Sequence, residues 1–202
     1  MDIFEVIRGR RTIRSYEDRP VEQEKLAAVL DACRWAPSAG NRQPWEIIVV
    51  DNQDTKDRLA QAALEQNWMK TAPVILAVCM NENIAKGTYG ERGPLYGLET
   101  MGMAIENMML AAYAVGLGSC CVTAFEEGKV KEILKCLEII KPVALLTLGY
   151  PREEPRVPHR DDISGFTYHN SYMKHNTPEW PGLKKTLERK FKKGLKETLE
   201  EC

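Results

Sequence analysis

Arg10-Arg11-Thr12-Ile13-Arg14 places three guanidiniums and a hydroxyl within five consecutive positions near the start of the chain. Guanidinium groups present planar forks of N–H donors that match the paired oxygens of a phosphate or carboxylate. One compact anion could gather them all. A solvated basic turn would carry the same residues, because exposed charge is what most surfaces hold. The anion site therefore needs support from the rest of the chain. A second polar stretch, Pro37-Ser38-Ala39-Gly40-Asn41-Arg42-Gln43-Pro44-Trp45, is rich in turn formers. Its side chains either line a site or simply serve the turn.

Other chemistries find little footing. The six cysteines (Cys33, Cys79, Cys120, Cys121, Cys136 and Cys202) form no C-x-x-C pair and no ligand spacing with His159, His169 or His175, so no metal site is expected. Cys33, Cys79 and Cys136 sit among apolar neighbours and read as small core residues. There is no G-x-G-x-x-G between a strand and a helix, no G-x-x-x-x-G-K-[ST] loop and no G-x-S-x-G elbow. A net charge of −1 gives no global pull toward nucleic acid or an anionic membrane, so anion binding has to be local. Met1-Asp2-Ile3-Phe4-Glu5 is acidic where a secretion signal would be basic, and no apolar run reaches membrane-spanning length. A cytoplasmic protein is the expectation, and the cysteine pattern suits a reducing compartment.

The elements that must position these residues follow from periodicity. A chain of 202 residues with 44% apolar and 28% charged content suffices for one folded domain. Ile3, Phe4, Val6 and Ile7 predict a short helix capped by Asp2 and ended near Gly9, and Leu26, Val29, Leu30 and Cys33 predict a second, ended at Ala36-Pro37. Ile47–Val50, Pro73–Val78, Ser119–Val122 and Val143–Leu148 read as buried strands, and Thr55–Gln66 and Val130–Leu137 as helices. Asn81 to Pro94 reads as a mobile loop or lid. Leu98 to Val115 is the longest predicted helix, apolar nearly all round from Met103 except at Glu106 and Asn107; such a helix must be buried in the core or partly against a second subunit. Leu183 to Leu199 alternates charge with Leu and Phe and reads as a surface helix. Strands separated by helices indicate an α/β or α+β fold.

Taken in order, several of these landmarks resemble the flavin-dependent nitroreductase superfamily. They are Arg10-Arg11-Thr12-Ile13-Arg14-Ser15-Tyr16, Ala36 through Trp45, Asn67-x-x-Lys70 before Ala72-Pro73, the helix with Glu106-Asn107 ending Gly116-Leu117-Gly118-Ser119-Cys120, and Leu148-Gly149-Tyr150-Pro151. The resemblance spans residues 1–172 and leaves 173–202 as a C-terminal extension with an amphipathic helix. It implies an α+β sandwich with a central, mostly antiparallel sheet flanked by helices, and a long buried helix at a homodimer interface.

It also implies FMN shared between subunits and NAD(P)H as co-substrate, with ping-pong reduction of nitroaromatic, quinone or related acceptors. Reductive dehalogenation, flavin fragmentation or a non-catalytic flavin-binding module are the alternatives. By position, Arg10, Arg11 and Thr12 would hold the flavin phosphate and ribityl groups. Arg14 and Lys70 would lie near the N1/O2 edge, and Asn67 near the pyrimidine edge. Pro37, Ser38, Ala39 and Asn41 would reach FMN from the second subunit, and Cys121, Val122, Thr123 and Ala124 would pass along the isoalloxazine. Arg156 and Arg160 compete as the last phosphate ligand. No side chain is expected to act as acid, base or nucleophile, since the flavin carries the chemistry. Cys121 and Thr123 depart from the residues common in the family, which bears on the pocket floor.

Overall fold

The computed structural model describes residues 1–172, so the predicted helix from Leu183 to Leu199 lies outside the described residues. The chain divides into one unit of Met1–Arg156 and another of Val157–Cys202.

In the first unit, β1 (Trp45–Val50), β2 (Val74–Asn81), β3 (Gly118–Val122) and β4 (Ile140–Gly149) form one sheet in the order β1-β2-β4-β3, with every pairing antiparallel. The central strand β2 is buried on both faces, which explains why its sequence runs apolar without alternation. Leu76 and Val78 face one core layer with α2 (Gln23–Arg34) and α5 (Gly93–Ala114), while Ile75, Ala77 and Cys79 face another with α3 (Gln53–Ala62) and α6 (Glu127–Leu134). Helices thus cover both faces of an antiparallel sheet, the α+β sandwich expected.

α1 (Ile3–Gly9) starts with a full capping box, the Asp2 carboxylate accepting from Phe4 N–H and the Glu5 carboxylate from Asp2 N–H. α3 stops four residues before the predicted Gln66, because Leu64 and Glu65 both take left-handed conformations, φ 57° and 58°. The expected loop from Asn81 to Pro94 is instead helical. The Asn81 side chain accepts from Ile84 N–H and opens α4 (Glu82–Tyr89), followed by a 3-10 turn at Gly90–Arg92. Gly90, at φ 52° with nothing within 4 Å of its Cβ position, ends α4, whereas Gly93 and, beyond the predicted loop, Gly97 serve close packing. A Cβ on Gly93 would stand 2.3 Å from the Ala85 carbonyl oxygen, and one on Gly97 would stand 2.4 Å from Met80 Sδ.

α5 buries Met101, Ala104, Ile105, Met108 and Ala112 in the core. Within one chain it leaves Leu95 51%, Leu98 41% and Met103 40% exposed. Cys33, Cys79 and Cys120 are buried, whereas Cys136 is only half-buried. The second unit contains a 3-10 turn at Ile163–Gly165, where Thr167 Oγ1 donates to the Ile163 carbonyl at 2.6 Å, and a tilted pair of rings, Tyr168 and Tyr172, 4.6 Å apart.

Candidate functional site

The stretch after α1 leaves the helix and lies down along the edge of the sheet. Thr12 forms a parallel bridge to Ser119 of β3, and Ile13 N–H donates to the Ser119 carbonyl at 3.0 Å. Gly118 permits this approach, since a Cβ there would come within 2.7 Å of Ile13 Cγ1. The buried Tyr16 hydroxyl donates to the Ile13 carbonyl at 2.7 Å and lies 2.7 Å from Thr147 Oγ1 on β4. Two further main-chain bonds, Glu17 N–H to the Tyr150 carbonyl and Arg152 N–H to the Ser15 carbonyl, both 2.9 Å, fasten the same stretch to the residues after β4. The arginines are therefore carried on a pinned, extended segment that acts as a short extra strand.

Each arginine meets a different environment. Arg10 is half-buried, with its Nε 3.5 Å from Glu106 Oε1 on α5. That Nε is buried and has no hydrogen-bond partner among the described residues. Arg11 folds back, its Nη1 donating to the carbonyls of Arg8 at 2.5 Å and Arg10 at 2.7 Å. A cation there complements the carbonyl end of α1. Arg14 is exposed and its guanidinium stands 5.8 Å from the centre of the Trp68 ring, while its backbone N–H donates to Glu153 Oε1 at 2.5 Å. Ser15 N–H donates to the same oxygen at 3.1 Å.

Trp68 belongs to the 3-10 turn Asn67–Thr71, so it brings Asn67 and Lys70 to the arginine segment. Asn67 is exposed and Lys70 half-buried. The turn is held at both ends. Gln66 Nε2 donates to the carbonyls of Ala63 at 2.9 Å and Ala124 at 3.3 Å. At the other end Gln53 Nε2 donates to the Lys70 carbonyl at 3.2 Å. Through Gln66, the turn is also tied to the exit of β3, where Cys121 is half-buried, Val122 is buried, and Thr123 and Ala124 are exposed. The structure thus gathers Arg10, Thr12, Arg14, Asn67, Lys70 and the 121–124 segment on one edge of the sheet.

The Ser38 loop is held elsewhere on the same chain. Ala39 N–H donates to Thr100 Oγ1 at 3.3 Å, and Ser38 Oγ accepts from Gln43 N–H at 3.2 Å. Pro37 and Asn41 are exposed, and Ser38 and Ala39 half-buried. The loop stands at the Thr100 turn of α5, and Arg10 at the Glu106 turn. Arg156 is exposed at the end of the first unit; Arg160 belongs to the second, where its Nη1 donates to the His159 carbonyl at 3.1 Å.

Electrostatically, this edge sets Arg10, Arg14 and Lys70 against two carboxylates, Glu106 and Glu153. Cys121 is an unpromising nucleophile, because burial and the Glu106 charge push its thiol pKa up. Burial also raises the Cys120 thiol to about 11, against the opposing influence of Arg14. Among the described residues no group of three His, Cys, Asp or Glu side chains is placed to hold a metal ion, and no helix is long and apolar enough to cross a membrane. Guanidinium and ammonium groups gathered in this way suit an anion. Glu153 was not legible from sequence, since it acts from 139 residues away and through backbone N–H groups. Gln66 likewise belongs to no motif, though Glu106 stands out as a polar break in an apolar helix.

A model of the nitroreductase family matches residues 7–68 and 63–150. The FMN reductase [NAD(P)H] of Bacillus subtilis is 31% identical, over 84% of this chain and 75% of its own. An NADH dehydrogenase of Thermus thermophilus is 33% identical, over 75% of this chain and 87% of its own. The solved structure of NfrA2 from B. megaterium superposes with a TM-score of 0.80 at 28% identity, covering 85% of this chain and 76% of that one.

Proposed function

We propose, from the premise that this chain belongs to the nitroreductase family, that it is an NAD(P)H-dependent FMN oxidoreductase reducing nitroaromatic, quinone or related acceptors by a ping-pong route. The observation that carries the reading is the buried Arg10 Nε, which lacks a hydrogen-bond partner among the described residues. A buried donor without an acceptor is costly. An oxygen of the flavin phosphate or ribityl chain would satisfy it, so the residues present fit the group.

Arg10 and Thr12 would hold the phosphate and ribityl end, with Arg11 keeping the end of α1 in shape beside them. Arg14, Lys70 and Asn67 would face the ring's N1/O2 and pyrimidine edge, where positive charge favours the reduced form. The backbone of Cys121 to Ala124 would run along the ring. FMN, held by these residues, would supply two-electron redox chemistry between NAD(P)H and the acceptor. The protein would contribute charge and orientation, with no side chain acting as nucleophile.

A homodimer completes this reading. The apolar residues left exposed on α5 need cover, and the Ser38 loop would serve the site of the other subunit. The test is the visible spectrum of purified protein under anaerobic conditions. Flavin absorption that bleaches on adding NADH or NADPH is expected. Colourless protein that takes up no added FMN would overturn the assignment.

A further inference from the structure

We infer that Lys56, with Gln53 beside it on α3, is a positioning residue for the turn that carries Asn67 and Lys70. The inference rests on the reading of that turn as part of the flavin site. Lys56 is only 6% exposed. Its Nζ donates to the carbonyls of Ala72 at 2.9 Å and Pro73 at 3.4 Å, the two residues that follow the 3-10 turn. Gln53, one helical turn earlier, holds the Lys70 carbonyl at 3.2 Å. The carbonyls of Lys70, Ala72 and Pro73 are thus held from one face of α3.

A buried ammonium is an expensive way to fill this space. Desolvation lowers the Lys56 pKa, and the negative charges of Asp57, Asp51 and Asp18 oppose that only in part. Its hydrogen bonds go to main-chain carbonyls, not to a carboxylate. A methionine of similar length would pack as well and carry no charge to desolvate. What methionine lacks is a donor for carbonyls leaving the carboxyl end of the 3-10 turn, where a cation is favoured. Those carbonyls fix the path from Lys70 into β2, and hence where the Lys70 ammonium stands. Lys56 touches no reacting group. It acts through Lys70.

The test is a double-mutant cycle with Lys56→Met and Lys70→Ala, read as FMN dissociation constant by fluorescence quenching and as midpoint potential of the bound flavin. Lys56→Met is expected to weaken FMN binding by about tenfold, the equivalent of one charge-assisted hydrogen bond, and to lower the potential. In the Lys70→Ala background it should change neither further. Equal effects in both backgrounds, or a lower melting temperature with unchanged binding and potential, would overturn the positioning role alone. Lys70→Ala without effect on either readout would sink the placement of Lys70 at the flavin and this inference with it. If Lys56→Met does not fold, Gln53→Ala, an exposed hold on the same turn, carries the same cycle with a smaller expected effect of the same sign and the same overturning results.

Discussion

Arg10 satisfies its charge within the chain but not its geometry. Glu106 lies 3.5 Å from its Nε, yet that N–H has no acceptor among the described residues. Removing the side chain should therefore affect a bound anion more than the fold. Arg10→Ala is expected to weaken FMN binding by about 2–3 kcal/mol, or roughly 30- to 150-fold, as for loss of a charge-assisted hydrogen bond. A flavin titration of the variant measures this, and undiminished affinity would remove Arg10 from the phosphate site. The thiols make a second residue-scale case. Burial pushes Cys33 and Cys120 up to about 11 and Cys79 up to about 12. A raised folded-state value stabilises the fold fully below the unfolded thiol's ordinary range, and that contribution fades as pH rises through the folded values. Denaturation midpoints should accordingly fall between pH 9 and 12. The same three thiols should resist an aromatic disulfide reagent at neutral pH until the protein is unfolded. Rapid native labelling of Cys120 would contradict its burial.

The site depends on how closely elements approach, and two glycines separate packing from propensity. At Gly118 a Cβ would collide with Ile13, 2.7 Å away, forcing the arginine segment off β3. Gly118→Ala should cost about 1–3 kcal/mol, as overpacking does, and weaken FMN binding with it. Gly128, in α6, has nothing within 4 Å of its Cβ position. Gly128→Ala should be neutral or stabilise by up to about 1 kcal/mol. Urea denaturation of the pair tests the contrast; equal destabilisation would mean that the segment is not packed as described. The same physics explains what the sequence disclosed. Apolar runs such as Val143–Leu148 announced their strands, and Asp2 and Gly9 framed α1. The turn 67–71 was recognisable by order of residues, but its clamps were not, because a glutamine or lysine donating to a main-chain carbonyl leaves no periodic trace. The sequence of α4 reads as a loop because Gly87, Gly90 and Gly93 look like breakers. At Gly93 the absent side chain instead lets α5 sit against the Ala85 carbonyl.

At the scale of the whole molecule, the question is where the unsatisfied half of α5 goes. Its mean character is apolar, yet one chain covers only the stripe through Met101, Ala104, Ile105, Met108 and Ala112. Leu98 and Met103 remain about two-fifths exposed, and α1, which packs beside α5 where Gly9 meets the Tyr113 ring, exposes Ile3, Phe4 and Ile7 as well. Exposed apolar residues on two packed helices are the kind of surface that a second copy would cover. The apolar pattern from Met103 onward points to such surface in the sequence. If two copies bury it, the Ser38 loop fixed at Thr100 of one copy would be carried toward the Arg10 edge of the other. Dimer formation and flavin binding would then be linked, each stabilising the other. Leu98→Asp with Met103→Glu leaves the core-facing stripe untouched and places two carboxylates on the exposed face. Sedimentation should show a dimer for the parent chain and a folded monomer for the variant, judged by its circular dichroism. The monomer should bind FMN at least tenfold more weakly, since Pro37, Ser38, Ala39 and Asn41 of the proposed site come from the other copy. A variant that stays dimeric would place the interface elsewhere. A monomer that keeps full affinity would make each site complete within one chain and remove the Ser38 loop from it.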